Sequence, residues 1–451
     1  MESSDLPSEN YPPALSPVYT TDEPNQPILL YEGSLEIAQN GTVQRGEGTV
    51  RFEWFPSPRV AFDFSGQDHC RVGILPDQAD LKLLDLRTPV AGKCRISSSS
   101  LDFFSHSGFL SEDVISASAD KLSYLLFHLT NFYDFFGNVI VGKQCLFRGR
   151  LVLEAQGWKV TIDSLENLKN IKKTLKTKGG YCITHIGKIE HSPQNLFDTK
   201  EVDNLLTALG YFCSFCRGFW TFPILPVGYD INGDKVWEQW AAYKATPWKS
   251  VSSWFPDSTA LVRPCESLSM LFPGFWHRWQ NPIWHQPIRL AIDWYIQSNA
   301  HAGSIESSII MAQAAFELLS IVLLVEDKRL VNSKEFDRLP AAKKLRQLLV
   351  EFGIPLNIPD SLSNLKKFSA QLNWMDGPQA LTRIRNIIVH SGKPQERTII
   401  LNAPYDVLYE AKRLSLWYLE LILLHLFDYR GDYCNRVSAN FMNPLDPVPW
   451  N

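Results

Sequence analysis

The hydrophobic pattern of this chain changes period once, and that switch constrains its fold more than any other feature. In the first part, apolar residues alternate with polar ones. Val50, Phe52 and Trp54 form one such run and Val60, Phe62 and Phe64 another, with Pro56-Ser57-Pro58 between them. A period of two puts one face of a strand in a core, so the pair predicts a β-hairpin. Leu122, Tyr124, Leu126 and His128 alternate similarly, and LVLEA and WKVTID flank Gln156-Gly157 as a second hairpin. From about Pro287 the spacing is helical to the end of the chain. The segments are IRLAIDWYIQSNA, SIESSIIMAQAAFELLSIVLLVE after a Ser304 cap, AAKKLRQLLVEFG stopped by Gly353, SNLKKFSAQLN, GPQALTRIRNIIVHSG, and Tyr405 to about Tyr429.

The expected fold class is therefore multidomain α+β. Residues 28–164 are read as an antiparallel β-sandwich or barrel, and residues 286–430 as an all-α helical bundle. Between them, residues 165–285 are read as a mixed α/β region. Nine of the fourteen Trp fall between Trp220 and Trp294, so irregular chain packed around aromatic anchors is expected there. Residues 1–27 are rich in Pro, Ser and acidic groups and are read as a disordered tail, with a second tail over 431–451.

Composition narrows the function classes. A chain of 451 residues has room for two or three cores. Its net charge of −4 argues against non-specific coating of nucleic acid and leaves room for a local basic patch. The eight Cys have no disulfide-framework spacing, which suits a reducing compartment. The start, MESSDLPSENYPP, lacks the basic and apolar regions of a signal peptide. The most apolar stretch noted, Leu414 to Phe427, is interrupted by Glu420 and His425, and no membrane span is expected. Together these features predict a cytoplasmic protein.

The segment that carries chemistry is Arg383-Ile384-Arg385-Asn386-Ile387-Ile388-Val389-His390-Ser391-Gly392. On a helix advancing about 100° per residue, with Arg385 at the origin, Asn386 lies near ~100° and His390 near ~140°, while Ile384, Ile387 and Ile388 occupy ~200° to ~300°. Arg, Asn and His thus share one polar edge. Those residue types suit RNA cleavage through the 2′-hydroxyl. His moves a proton near neutral pH, Arg grips a phosphate and offsets its developing charge, and Asn orients either partner. This chemistry needs no metal or cofactor, and none is expected.

Arg385 followed directly by Asn386, with His390 five positions after the Arg, resembles the R-N-x-x-x-H motif of HEPN ribonucleases. The surroundings are similar too. A long apolar helix carries Gln313 and Glu317, the motif helix follows, and a Leu-rich helix closes the bundle. The HEPN resemblance covers roughly 286 to 430. The layout of a β-rich region before such a domain is similar to ApeA-like antiphage proteins. The resemblance implies a homodimer that joins two motif helices into one cleft. It also implies cleavage of RNA, often tRNA, in toxin or abortive-infection systems. The first region would then act as a sensor, with a regulatory ligand or an antitoxin as a further partner. A HEPN module that only dimerises and binds a ligand or protein is the alternative.

Other signals carry two readings each. Glu317, in an otherwise apolar helix, pairs with Arg385 or Arg383 across the bundle, or faces solvent at a helix edge. Lys169, Lys172, Lys173 and Lys176 share a helix face that meets RNA phosphates or is simply solvated. Cys213 and Cys216 have CxxC spacing without a second pair, and are read as core thiols.

Overall fold

The computed structural model describes residues 11–66, 74–85, 90–100, 104–192, 195–255, 265–300, 304–389, 398, 404–440 and 444–451. These fall into two compact units. The first comprises Met1–Gly210 with Thr221–Lys249, and the second comprises Tyr211–Trp220 with Ser250–Asn451.

The first unit opens with six strands: β1 (Ile28–Gln39), β2 (Thr42–Glu53), β3 (Arg59–Gly66), β4 (Gln78–Leu83), β5 (Val90–Ser99) and β6 (Ser105–Leu110). They close into an antiparallel barrel in the order β1-β2-β3-β6-β5-β4. The alternation seen in the sequence is its inner wall. Val50 opposes Phe62 and Phe52 opposes Val60 across β2 and β3, and all four are buried.

Ten further strands follow in the same unit: β7 (Val114–Ala117), β8 (Lys121–Leu122), β9 (Tyr124–Thr130), β10 (Asn138–Val141), β11 (Leu146–Ala155), β12 (Trp158–Ser164), β13 (Ile183–His191), β14 (Phe197–Asp198), β15 (Pro223–Tyr229) and β16 (Lys235–Trp240). Eight of them form one sheet, ordered β10-β11-β12-β13-β9-β15-β16-β7. The hairpin expected around Gln156-Gly157 joins β11 to β12, and both turn residues have positive φ, as a type I′ turn needs. β9 is covered on both faces: Leu125, Phe127 and Leu129 are fully buried and so is His128. Three strands from the mixed region (β13, β15 and β16) complete the sheet, so the boundary expected near residue 164 runs through the middle of it. Helix α1 (Leu168–Lys178) lies between β12 and β13. Helix α2 (Thr199–Arg217) begins in this unit and ends in the second.

Residues 11–27 are not the disordered tail their composition suggests. Pro13 bridges Val141, and the segment is hydrogen-bonded to Asp163 and His128. Its polar groups find partners more than a hundred positions away, which composition cannot reveal.

The second unit is mostly helical, with α3 (Glu266–Gln280), α4 (His285–Ala300), α5 (Ile305–Ile321), α6 (Ser333–Arg338), α7 (Ala341–Glu351), α8 (Ser363–Gln371), α9 (Gly377–Val389) and α10 (Tyr405–Leu426). A short hairpin follows, β17 (Asp432–Cys434) and β18 (Leu445–Pro447). Ser304 caps α5 by accepting the Ser307 N–H. Gly353 has φ 64° just after α7, the left-handed stop its sequence predicts. Part of the Trp-rich stretch, expected to be irregular, is the regular helix α3, which accommodates Pro273. A Cβ on Gly274 would lie 1.9 Å from the Phe427 carbonyl oxygen, so only Gly lets α3 approach the end of α10 that closely.

The π turn Val322–Asp327 extends α5. The continuous helix Ile305–Asp327 is long and apolar enough to cross a membrane, which corrects the expectation that no stretch reaches that length. It is mostly buried, as a core helix is.

Candidate functional site

Helix α9 buries Ala380, Leu381, Ile384 and Ile387, spaced to form one apolar stripe, and packs on α5 and α7. That packing turns its polar edge outward. Arg383 is exposed, whereas Arg385 and Asn386 are half-buried. Arg385 Nη1 donates to Asn386 Oδ1 at 3.1 Å. Its Nη2 lies 3.8 Å from Glu317 Oε1 on α5. One turn before Glu317, the buried Gln313 donates from Nε2 to the same carboxylate oxygen at 3.5 Å. The sequence offered Arg385 or Arg383 as the partner of Glu317, and the structure selects Arg385.

At 3.8 Å the Glu317–Arg385 contact is too long for a hydrogen bond and acts through charge. The carboxylate is 44% exposed, so solvent screens the pair and its stabilisation is under ~1 kcal/mol. Its effect is to orient the guanidinium. Arg385 Nε is buried and has no hydrogen-bond partner among the described residues. The site therefore holds a partly exposed cation oriented from two sides. That is the equipment for gripping an anionic oxygen. His390, the third motif residue, follows Val389 directly and lies outside the described residues.

The other candidates stand apart from this cluster. On α1, Lys169, Lys173 and Lys176 are exposed, but Lys172 is buried and pairs with Asp134 at 3.7 Å. The four Lys therefore do not form one solvent-facing row. Cys213 and Cys216 lie fully buried in α2, and burial pushes both thiols up, as suits core cysteines. Among the described residues, no group of three His, Cys, Asp or Glu side chains is placed to hold a metal ion. A groove of about 580 Å³ on the barrel wall was not foreseen from the sequence. Its lining includes Glu47, Asp63, Ser98, Ser105, His106 and Ser107. Ser98 comes from β5 and Ser105 and Ser107 from β6, so the barrel's register gathers them.

Two family models match the chain: the YopA central domain over residues 117–251, and the YopA C-terminal domain over residues 281–445. A relative in Bacillus subtilis (strain 168), the SPbeta prophage-derived uncharacterized protein YopA, is 30% identical over 440 residues. That match covers 94% of this chain and 95% of the relative. No solved structure matches. The helices that carry Arg385 and Glu317 lie inside the C-terminal match, and the eight-stranded sheet lies largely inside the central one. With nearly its whole length aligned to that relative, the chain belongs to the YopA family.

Proposed function

We propose that this protein is a cytoplasmic, metal-independent endoribonuclease of the HEPN type, with ApeA-like architecture, that acts as a homodimer in a toxin or antiphage role. The observation that carries the reading is the half-buried Arg385, oriented by Asn386 and Glu317 and set five positions before His390 in the sequence. In this reading Arg385 holds the scissile phosphate and Asn386 orients it. His390 moves the proton at the 2′-hydroxyl or the leaving oxygen. Arg383 and Glu317 support the site, and Lys169, Lys173 and Lys176 offer further phosphate contacts at a distance along the chain. The first unit selects the RNA or senses a trigger.

Dimerisation has its own support. Met311, Ala314, Leu318 and Ile321 are spaced three and four apart along α5 and remain partly exposed, while its other faces are buried. The prophage origin of the Bacillus subtilis relative suits a part in conflict between phage and host.

The test is incubation of the purified dimer with tRNA and mRNA in the presence of a chelator. Wild type should cut RNA, and Arg385→Ala and His390→Ala should each lose about a hundredfold or more in rate. If all three leave RNA intact, the nuclease reading fails. Glu317 gives the second reading its footing, because a carboxylate beside Arg385 competes with a phosphate. In that reading the unit dimerises and binds a ligand or protein without cutting RNA.

A further inference from the structure

Residues 12–19 cross one face of the eight-stranded sheet as an extended segment held mainly by side chains of the sheet. Strand register sets these side chains in a row: Arg150 opposes Asp163, Asp163 opposes Ile186, Ile186 opposes His128, and His128 opposes Ile224. Directly opposed residues project from the same face. Glu238 joins them, because it opposes Val227, which opposes Leu126, two positions from His128 on β9.

The segment is read along that row from one side of the sheet to the other. At the edge strand β10 it pairs as backbone. Val141 N–H donates to the Pro12 carbonyl at 3.0 Å, and Ala14 N–H donates to the Val141 carbonyl at 2.9 Å. Side chains then take over. Arg150 Nη2 donates to the Pro13 carbonyl at 2.8 Å, and Leu15 N–H donates to Asp163 Oδ2 at 2.8 Å. The N–H groups of Val18 and Tyr19 both donate to His128 Nε2 at 3.1 Å, and the Tyr19 hydroxyl donates to Glu238 Oε2 at 3.1 Å. Asp163, His128 and Glu238 are all buried beneath the segment's level.

The match between segment and face is positional. Donors to the sheet come from residues 14, 15, 18 and 19, while Pro12, Pro13 and Pro17, which have no N–H, occupy places where none is used. Proline also holds the chain extended before binding, so less conformational entropy is lost. His128 must be neutral to accept two N–H groups. Burial holds it so, down to about 4, opposed in part by the carbonyls of Ile224 and Leu225.

We propose that this sheet face is a binding site for an extended, proline-containing peptide, and that residues 12–19 are its occupant in cis. A partner segment with the same spacing of prolines, free N–H groups and a terminal tyrosine would take the site by displacing them. Displacement would uncover Asp163, His128 and Glu238 together. This inference does not rest on the nuclease reading.

The test uses the full chain with a protease site inserted between Asp22 and Glu23, so that the segment can be cut after folding. A labelled synthetic peptide of residues 11–22 is then added. The cut fragment should stay bound through gel filtration and exchange with the labelled peptide in a saturable way. Peptides carrying Leu15→Pro lose one donor to a buried acceptor, and those carrying Tyr19→Pro lose two, the N–H to His128 and the hydroxyl to Glu238. They should bind roughly ten- to hundredfold more weakly. Ser16→Ala, at an exposed position, should bind like the native peptide. Because these changes are in the peptide, misfolding of the protein cannot imitate them. The proposal is overturned if the cut protein takes up no labelled peptide, or if the proline-substituted peptides bind as well as the native one.

Discussion

The two units differ in the ionisable side chains they bury most deeply. In the helical unit, Arg436 and Glu420 are buried as a charged pair, joined at 2.7 and 2.8 Å through Nε and Nη2. Tyr295 donates to the same carboxylate at 2.6 Å, and Asn299 accepts from Arg436 at 2.9 Å. Burial works against the Arg436 charge, but Glu420 and Tyr295 more than offset it and hold the guanidinium firmly protonated. In the first unit, His128 and His185 are buried as neutral rings, and desolvation pushes them down to about 4 and about 3. Lys172 adds to the fall at His185. The helical unit thus leans on a buried ion pair, whereas the first unit, which also buries Asp163 against Arg150, adds two bases that must stay neutral.

The largest effect is expected where a charge loses its partner. Glu420→Ala leaves Arg436 buried and unpaired, at a cost of about 3–5 kcal/mol, readable as a fall in the midpoint of urea unfolding. A replacement of both residues by apolar groups of similar volume should recover much of that loss. If Glu420→Ala unfolds like wild type, the buried pair does not hold the helical unit together.

Acid should strike the first unit harder. Unfolded His binds a proton near pH 6.5, whereas native His128 and His185 resist until about 4 and about 3. Between those values the unfolded chain holds more protons, so stability falls as pH falls. By pH 5 the loss is about 2 kcal/mol for each ring. The helical unit has one comparable group, His425, stacked on Phe352 at 4.1 Å and pushed down to about 4 by burial. His185→Phe, set against Phe132 and Phe135, should therefore flatten the pH dependence of the unfolding free energy below pH 6.5 by about one proton. An unchanged slope would mean that His185 is reached by water in the native state. A smaller effect is expected at the β11–β12 turn. Gly157→Ala, at φ 85°, should cost roughly 1–2 kcal/mol at any pH, seen in the same unfolding curves.

The difference between the units also explains what was legible in the sequence. Helical periodicity and caps are local, so six helices of the second unit, α4, α5, α7, α8, α9 and α10, could be read from spacing and stop signals. The hairpins β2–β3 and β11–β12 were legible for the same reason, since a turn joins adjacent residues. What the sequence hid is long-range. The strap over residues 12–19 is Pro-rich, like a disordered tail, and owes its order to Asp163, His128 and Glu238 on distant strands. Helix α3 was hidden by Pro273 and by its aromatic density. Lys172 looked solvated because helix spacing shows which residues share a face, and gives no hint that Asp134 awaits one of them. At the candidate site, Arg385, Asn386 and Glu317 were legible as residue types. Only the packing of α9 on α5 decided that Glu317 faces Arg385 rather than the exposed Arg383.

The smallest expected change in stability is also the sharpest test of what that site does. Glu317→Gln removes a partly exposed carboxylate 3.8 Å from Arg385 and keeps its shape, so unfolding should shift by less than ~1 kcal/mol. Gln313 can still donate to the new side-chain oxygen. The effect on anion binding should run the other way. With its competing negative charge gone, the partly exposed guanidinium is open to phosphate, so an RNA backbone should bind several-fold more tightly at low salt, with the gain screened at high salt. If Glu317 only competes, cleavage should rise in step with binding. If it positions Arg385 for chemistry, binding tightens while the rate of bond breaking falls, because a mobile guanidinium holds the phosphate without aligning it. A Glu317→Gln protein that binds RNA no better than wild type at low salt would mean that Arg385 does not meet phosphate.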